Sequence, residues 1–369
     1  MKVCVTGATG FVGAHVARAL AERGDEVRVA YRNPDRLDAL KGIEYRQAKT
    51  DVLDFGAMRR AVRGSKVLFH VAGYVGSSPA ERVWRLNAHG PVVAVEAAAA
   101  EGLKRVVVTS TISAVGPATD SRPADEETEY PEDWLNLAYP DSKHEGEMAA
   151  LEAGERHGIE VVVVNPGYVL GVPVNSSQPG ETSTRTIGNY LRGRLPGVIS
   201  SGMNFVDVED VARGHLLAAE HGKPGERYIL GGENLTWPQL IQRVADISDI
   251  RFPVLVLPTE IAWLGRVREA IGIPGPVPAE AYELMGKNWR FSSRKAEREL
   301  GYTSAPIDES LRATIDWYLE LIENDAFGDS RSSALSQWAS GMQALARFGF
   351  LRPVRIGQRV TGRRVFVGL

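Results

Sequence analysis

The first thirteen residues, MKVCVTGATGFVG, constrain this chain more than any other stretch. An apolar run at Val3, Cys4 and Val5 breaks into glycines at Gly7, Gly10 and Gly13, and apolar residues at Phe11, Val12, Val16 and Leu20 then recur at helical spacing. The order is strand, glycine turn, helix. Glycine lets the backbone turn tightly and bring bare N–H groups to an anion, and the helix that follows points its positive dipole end at the same place. A second apolar run, Glu26–Tyr31, comes at βαβ distance, so Gly7, Gly10, Phe11, Val12 and Gly13 are predicted to hold a dinucleotide. For the triplet taken alone, a turn that merely joins strand to helix is the alternative.

Composition sets the outer bounds. The 369 residues, 44% hydrophobic and 8% aromatic, suffice for a full core and predict one large α/β domain with a smaller second lobe. A formal net charge of −3 gives no general drive toward nucleic acid or a membrane. Cys4 is the only cysteine and lies in the first strand, so no disulfide forms within one chain, which fits a reducing cytosol. No window offers about 18 uninterrupted apolar residues, and the chain enters its first strand at once, which predicts a cytoplasmic protein. The histidines are scattered and no metal site is predicted.

The second strand ends where the adenine ribose of a dinucleotide would lie. Ala30 and Tyr31 stand where an acidic residue would bond the ribose 2′-hydroxyl, with Arg32 next and Arg36 nearby. Arginine suits a 2′-phosphate, so NADP is expected, with NAD the alternative. A weak strand is expected near Ile43–Arg46. Asp51, with Val52 beside it, is placed to reach the adenine amino group or to serve only as a turn or N-cap residue. The run Val67–Val71 reads as a strand buried on both faces, and Val71, Ala72 and Gly73 give a cofactor a small-residue backbone to lie against. Tyr74 then faces the substrate, and His70 reads as a packed strand-end histidine.

A long helix is expected over 79–101, with Pro79 in its first turn. Arg105–Thr109 forms the fifth strand and runs into Thr109, Ser110, Thr111 and Ser113, hydroxyls at the carboxyl end of a strand, where open parallel sheets collect their chemistry. The acidic segment 116–138 is expected as a solvated loop over the sheet edge, with Trp134 and Leu135 leaning over the substrate.

Tyr139-Pro-Asp-Ser-Lys143 opens a helix expected to reach His157. The spacing of four puts Tyr139 and Lys143 on one face. An adjacent ammonium and the positive helix end both favour a phenolate, so this tyrosine is expected to exchange a proton with an alcohol or ketone oxygen near neutral pH. The strand from Glu160 to Val164 then ends in Asn165-Pro166-Gly167-Tyr168-Val169, of which Pro166, Gly167, Tyr168 and Val169 are expected to close over a nicotinamide.

With TGATGFVG, DVLD, HVAG, TSTIS, YPDSK and NPG in this order, residues from about 1 to 322 resemble the extended short-chain dehydrogenase/reductase family, also called the NAD-dependent epimerase/dehydratase family. The resemblance implies a Rossmann-type α/β fold, a doubly wound parallel sheet with a smaller C-terminal substrate lobe. It implies a dinucleotide-binding part over 1–171 with returns near 205–230, and a substrate lobe over 172–325. By the same resemblance Tyr139 is the general acid/base, Lys143 lowers its pKa and holds the nicotinamide ribose, and Thr111 bonds the substrate oxygen. Ser110, one residue away, is the alternative to Thr111.

Within the family, sugar-nucleotide epimerases commonly have an Arg and a His where this chain has Met203 and Asp207. The pattern is more similar to the dihydroflavonol-reductase and 3β-hydroxysteroid-dehydrogenase branch. LRGRLPG and RYILGGENLT are also similar to hopanoid-associated sugar epimerases. The implied reaction is NADP(H)-dependent interconversion of a secondary alcohol and a ketone on a small apolar or polycyclic substrate, with Tyr74, Ser113, Trp134, Tyr168 and Met203 as candidate contacts. Epimerisation or dehydration of a sugar or sugar nucleotide is the alternative, and a non-catalytic NADP-sensing regulator the alternative of another class. The proline-rich apolar region 252–278 is expected to wall the substrate pocket.

The resemblance ends near residue 325. Residues 326–369 hold seven arginines, no lysine and one acid, Asp329, and Leu335, Trp338, Met342, Leu345 and Phe348 recur at helical spacing. Such a basic amphipathic extension is expected to pack on its own domain or in a dimer contact, with a membrane surface as the alternative, and VTGRRVFVG to end in a short strand pair. The expected partners are a small-molecule substrate and a second copy in a homodimer, with no nucleic acid.

Overall fold

In the computed structural model the described residues are 1–119, 122–175, 183–261, 279–327, 358 and 365–368. The apolar runs read from the sequence become the strands of one parallel sheet. β1 (Lys2–Thr6), β2 (Glu26–Tyr31), β3 (Arg46–Lys49), β4 (Val67–His70), β5 (Arg105–Thr109), β6 (Glu160–Pro166) and a late return, β10 (Arg227–Leu230), line up as β10-β6-β5-β4-β1-β2-β3. Every neighbouring pair is parallel. The order reverses between β1 and β4, which makes the crevice at their carboxyl ends the place for a ligand.

Both faces are covered, as continuous Val-rich strands require. On one face α1 (Phe11–Glu22) and α7 (Val208–His221) pack on β1, β2 and β10 through Val16, Leu20, Ala212 and Tyr228. On the other, α2 (Phe55–Val62), α4 (Gly90–Ala100) and α5 (Ala138–His157) bury Met58, Ala94 and Ala150.

The helix expected over 79–101 forms in three pieces: α3 (Ala80–Trp84), a π-helical turn Arg85–His89, and α4. Pro79 stands before the helix as its N-cap rather than inside the first turn. Pro91 explains the wide turn, because it has no N–H to return to the Asn87 carbonyl. The weak third strand sits later than expected. Ile43 N closes a turn on Leu40 O at 3.0 Å, and it is polar Arg46–Lys49 that pairs with Arg28–Tyr31. An edge strand needs ladder bonds more than an apolar pattern, so pattern alone misplaced it.

The second lobe is built from β7 (Tyr168–Leu170), β9 (Gly202–Asp207) and β11 (Glu233–Thr236) in one small sheet, and from β8 (Gly197–Ile199), β12 (Val254–Leu257) and β13 (Phe366–Val367) in another. Between these lie α6 (Arg185–Leu191), α8 (Trp237–Ser248) and the helix Ile307–Glu323, around a core that includes Tyr190, Phe205, Trp237, Trp289 and Tyr318. A capping box, Thr236 with Gln239, starts α8 where the Thr-Trp-Pro sequence suggests. β13 pairs antiparallel with Val254 and Leu255, and Val367 is buried in the lobe core. That end of the basic extension packs on its own chain. Its residues 335–348, and 262–278 of the apolar wall, lie outside the described residues.

The acidic segment lies over the sheet edge, but it is not solvated throughout. Ala124, Glu126, Leu135 and Leu137 are buried. Glu126 Oε1 accepts the N–H of Ile229 on edge strand β10 at 2.8 Å, and Arg227 donates to Glu126 O at 2.7 Å. The exposed edge of β10 has N–H groups to satisfy, and the loop satisfies one.

Candidate active site

The glycine turn is shaped by contact as well as by conformation. Gly7 has φ +67°, and a Cβ on it would lie 2.6 Å from Ala72 N; a Cβ on Gly13 would lie 2.2 Å from Gly7 O. The β1 turn therefore runs bare against the end of β4. Gly10 caps α1 with no side-chain hydrogen bond, so the N–H groups of Phe11, Val12 and Gly13 keep their helix-end donor capacity. These residues fit a pyrophosphate. Arg32 is exposed just past the end of β2, and Ala30 and Tyr31 bring no carboxylate there. Asp51 Oδ1 accepts Leu53 N at 3.0 Å in a local turn, while the cap of α2 is Asp54, which accepts Ala57 N at 2.9 Å. Val52 lies against Gly90.

From the glycine turn the backbone strip Val71-Ala72-Gly73 leads to the chemistry. Ala72 N donates to Thr6 Oγ1 at 3.2 Å, and Thr6 Oγ1 also meets His70 Nδ1 at 3.1 Å. A Cβ on Gly73 would stand 2.9 Å from Lys143 Nζ. Asn87, set by the π turn, clamps the next residue: its Oδ1 accepts Tyr74 N at 2.8 Å and its Nδ2 donates to Tyr74 O at 3.0 Å and Ser142 Oγ at 3.2 Å. Arg82 lies over the Tyr74 ring.

Tyr139 and Lys143 come from the first turns of α5, as the spacing predicts. Asp141 organises the approach to them: its Oδ1 accepts Tyr130 Oη at 2.5 Å and Leu135 N at 3.1 Å, and its Oδ2 accepts Leu137 N at 2.9 Å. Thr111 Oγ1 accepts both Ser113 N and Ser113 Oγ at 3.3 Å, which leaves its own proton to donate. The Thr111 hydroxyl is bonded to Tyr139 and lowers its pKa, yet burial outweighs it and pushes the phenol up. This corrects the expectation of a lowered phenol. The Lys143 ammonium turns to Thr109 O at 2.9 Å, and burial pushes it down to about 8, with Glu147 opposing. Burial and Lys143 push His70 down to about 3, so it is a neutral packed residue at neutral pH.

The remaining candidates separate. Ser113 is buried beside Thr111, and the Ser110 Oγ is buried with no hydrogen-bond partner. Pro166 ends β6, and a Cβ on Gly167 would lie 2.6 Å from Asn204 Oδ1. Tyr168 donates to Ser183 O at 2.7 Å and meets Trp237 edge-on; Val169 is buried. Trp134, at φ +56°, keeps 37% exposure beside Trp84, Tyr130 and His144. Met203 is not on an open surface: it is buried in β9, paired with Leu235 and bridged to Trp289.

Three groups near the site had no motif to announce them. Glu280, on helix Ala279–Gly286, accepts the Tyr139 N–H at 3.4 Å. His215 donates from Nδ1 to Val211 O at 2.7 Å, so its Nε2 accepts the Thr109 hydroxyl at 2.8 Å. Glu147, one turn past Lys143 on the same face, was legible as a helical (i, i+4) neighbour. Among the described residues, no group of acids, histidines or cysteine is arranged to hold a metal ion, and no helix is long and apolar enough to cross a membrane.

Comparison with known proteins agrees with this geometry. The family model described as the NAD dependent epimerase/dehydratase family matches residues 3–231. A provisionally named dihydroflavonol 4-reductase of Synechocystis sp. is 33% identical over 326 residues, covering 85% of this chain and 93% of its own. Sterol demethylase protein B of Methylococcus capsulatus is 30% identical over 330 residues, covering 87% and 99%. Among solved structures, that of gox2253 superimposes with a TM-score of 0.75 at 32% identity, covering 86% of this chain and 98% of the other.

Proposed function

This chain belongs to the NAD-dependent epimerase/dehydratase family, and we propose that it is an NADP(H)-dependent oxidoreductase interconverting a secondary alcohol and a ketone on a small apolar or polycyclic substrate. One juxtaposition carries the reading. The bare strip that begins at Gly7 ends at Gly73 against the Lys143 ammonium, so a cofactor laid along it brings its reactive ring to Thr111, Tyr139 and Lys143. The similarity to a dihydroflavonol 4-reductase and to a sterol-related protein supports the substrate class.

The chain's part in the reaction follows from donor and acceptor roles. The N–H groups of Phe11, Val12 and Gly13 would hold the pyrophosphate, and Arg32 would pair with a 2′-phosphate. A nicotinamide held there would supply the hydride to the carbonyl carbon, or take it from the alcohol. Thr111, whose oxygen accepts from Ser113, turns its hydroxyl as a hydrogen-bond donor to the substrate oxygen, keeps its proton, and fixes where that oxygen sits. Tyr139 delivers its phenolic proton to the same oxygen as the alcohol forms, and recovers one from solvent. Burial keeps the phenol protonated, the form that donates when the ketone is reduced. Lys143 would anchor the ribose hydroxyls and, as an ammonium, steady the phenolate left behind.

Fluorescence titration with NADPH and NADH tests the reading, with Arg32→Ala alongside. Tighter NADPH binding that collapses in Arg32→Ala supports it. Equal affinity for the two, or a cofactor that co-purifies and does not exchange, favours an epimerase that keeps its cofactor.

A further inference from the structure

Inside α5, one turn beyond Lys143, lies a carboxylate that the proposed chemistry leaves unused. The Glu147 side chain is wholly buried. Its Oε2 accepts Asn165 Nδ2 at 2.8 Å, and its Oε1 faces Arg227 Nη1 at 3.3 Å. Asn165 Nδ2 also donates to Thr111 O at 3.1 Å, so one amide ties this carboxylate to the main chain of the hydroxyl residue. Arg227 reaches Glu147 from β10 while it holds Glu126 O and Thr128 O. A buried charge is costly without partners, and this one is held by an arginine, an amide and a neighbouring lysine.

The groups around Lys143 identify what Glu147 does for it. From β4 comes His70, which is neutral near pH 7; from β5 the Thr109 carbonyl, whose own hydroxyl rests on neutral His215. The π turn brings Asn87 close to Gly73, and α5 itself brings Tyr139 and Glu147. Burial makes the ammonium easier to deprotonate, and Glu147 is the charge that works against this. Arg227 faces the same carboxylate from β10.

We infer that Glu147 is a positioning residue: it keeps Lys143 charged and, through Asn165, holds Thr111 at a set distance from the Tyr139–Lys143 face. The inference rests on the reading of Thr111, Tyr139 and Lys143 as the reacting set. Charge and the Asn165 bond are separable, because Glu147→Gln keeps an oxygen for Asn165 while it loses the charge and the second acceptor that Arg227 uses. Arg227→Gln leaves the carboxylate less compensated and pulls the other way.

The test follows lysine 13Cε resonances of the full-length protein against pH, with Lys143 identified by the signal that Lys143→Arg removes. In the wild type Lys143, pushed down by burial, is expected to titrate at about 8. Glu147→Gln is expected to lower that midpoint by about one pH unit, a tenfold loss of proton affinity, and Arg227→Gln to raise it. An unmoved midpoint in Glu147→Gln, or two variants that shift the same way, overturns the inference. Should Glu147→Gln not fold, Arg227→Gln is the second variant, and an unmoved Lys143 midpoint in it overturns the inference. Tyr139→Phe is assayed in parallel by NADPH oxidation with a steroid ketone that the wild type reduces. Turnover retained in that variant sinks the reading of the reacting set, whereas the Lys143 midpoint still decides the electrostatic role of Glu147.

Discussion

Gly146 and Asn87 are in direct backbone contact: a Cβ on Gly146 would lie 1.9 Å from Asn87 O. That carbonyl lacks its α-helical donor because Pro91 has no N–H, and α5 packs down onto the π turn where it is exposed. The contact sets the depth of the helix that carries Tyr139 and Lys143.

Gly146→Ala is therefore expected to push α5 away from the turn. Overpacking of this kind costs about 1–3 kcal/mol, and here backbone rather than a flexible side chain must yield. Thermal melts should show a lower midpoint. NADPH oxidation should fall with it, because Asn87 loses its hold on Tyr74 and Ser142.

Asp141→Asn tests the loop before Tyr139. Both carboxylate oxygens accept bonds, from Tyr130 Oη, Leu135 N and Leu137 N, and an amide offers one oxygen where two are used. The expected result is a loss of kcat on the order of tenfold to a hundredfold, as a small misplacement of Tyr139 would cause, with NADPH affinity near wild type. A kcat equal to wild type would show that the loop holds itself.

Acid should destabilise the fold well before its carboxylates are neutralised. Burial holds His15 and His215 down to about 4 and His70 down to about 3, so the native state keeps these rings neutral. The unfolded chain binds protons there near the ordinary histidine pKa of about 6.5, so the stability from keeping them neutral is lost as pH falls through that value toward the native pKa values. The unfolding free energy from urea titrations should fall between about pH 7 and about pH 4.5 by several kcal/mol in all. His215→Asn should flatten the slope.

Removal of residues 365–369 is expected to lower the melting temperature. Val367 leaves the lobe core, Val254 and Leu255 lose their antiparallel partner, and Gln358 loses the N–H groups of Val365 and Phe366. The loss of one buried valine alone costs about 1.5–3 kcal/mol. An unchanged melting curve would mark this end as dispensable.

Much of the fold around the proposed site was legible because it is local. The glycines at 7, 10 and 13, the β-branched runs, and the Tyr139–Lys143 spacing each act over a few residues, where backbone sterics and helical period hold whatever surrounds them. Helix α5 accordingly ends at His157, and β2 occupies Glu26–Tyr31, as the sequence predicts. A strand with a polar pattern, Arg46–Lys49, escaped the same reading because its place depends on an edge that other segments build.

Spacing and residue type in the sequence thus determined the glycine turn, the strand runs and the residues proposed for proton transfer. Only the tertiary structure decided which charges meet and how deeply. Glu126 met the edge of β10, Met203 went into the core, Glu147 came between Arg227, Asn165 and Lys143, and the Tyr139 phenol rose rather than fell. The physical reason is desolvation. It sums over atoms from segments more than a hundred residues apart, and no local pattern contains that sum.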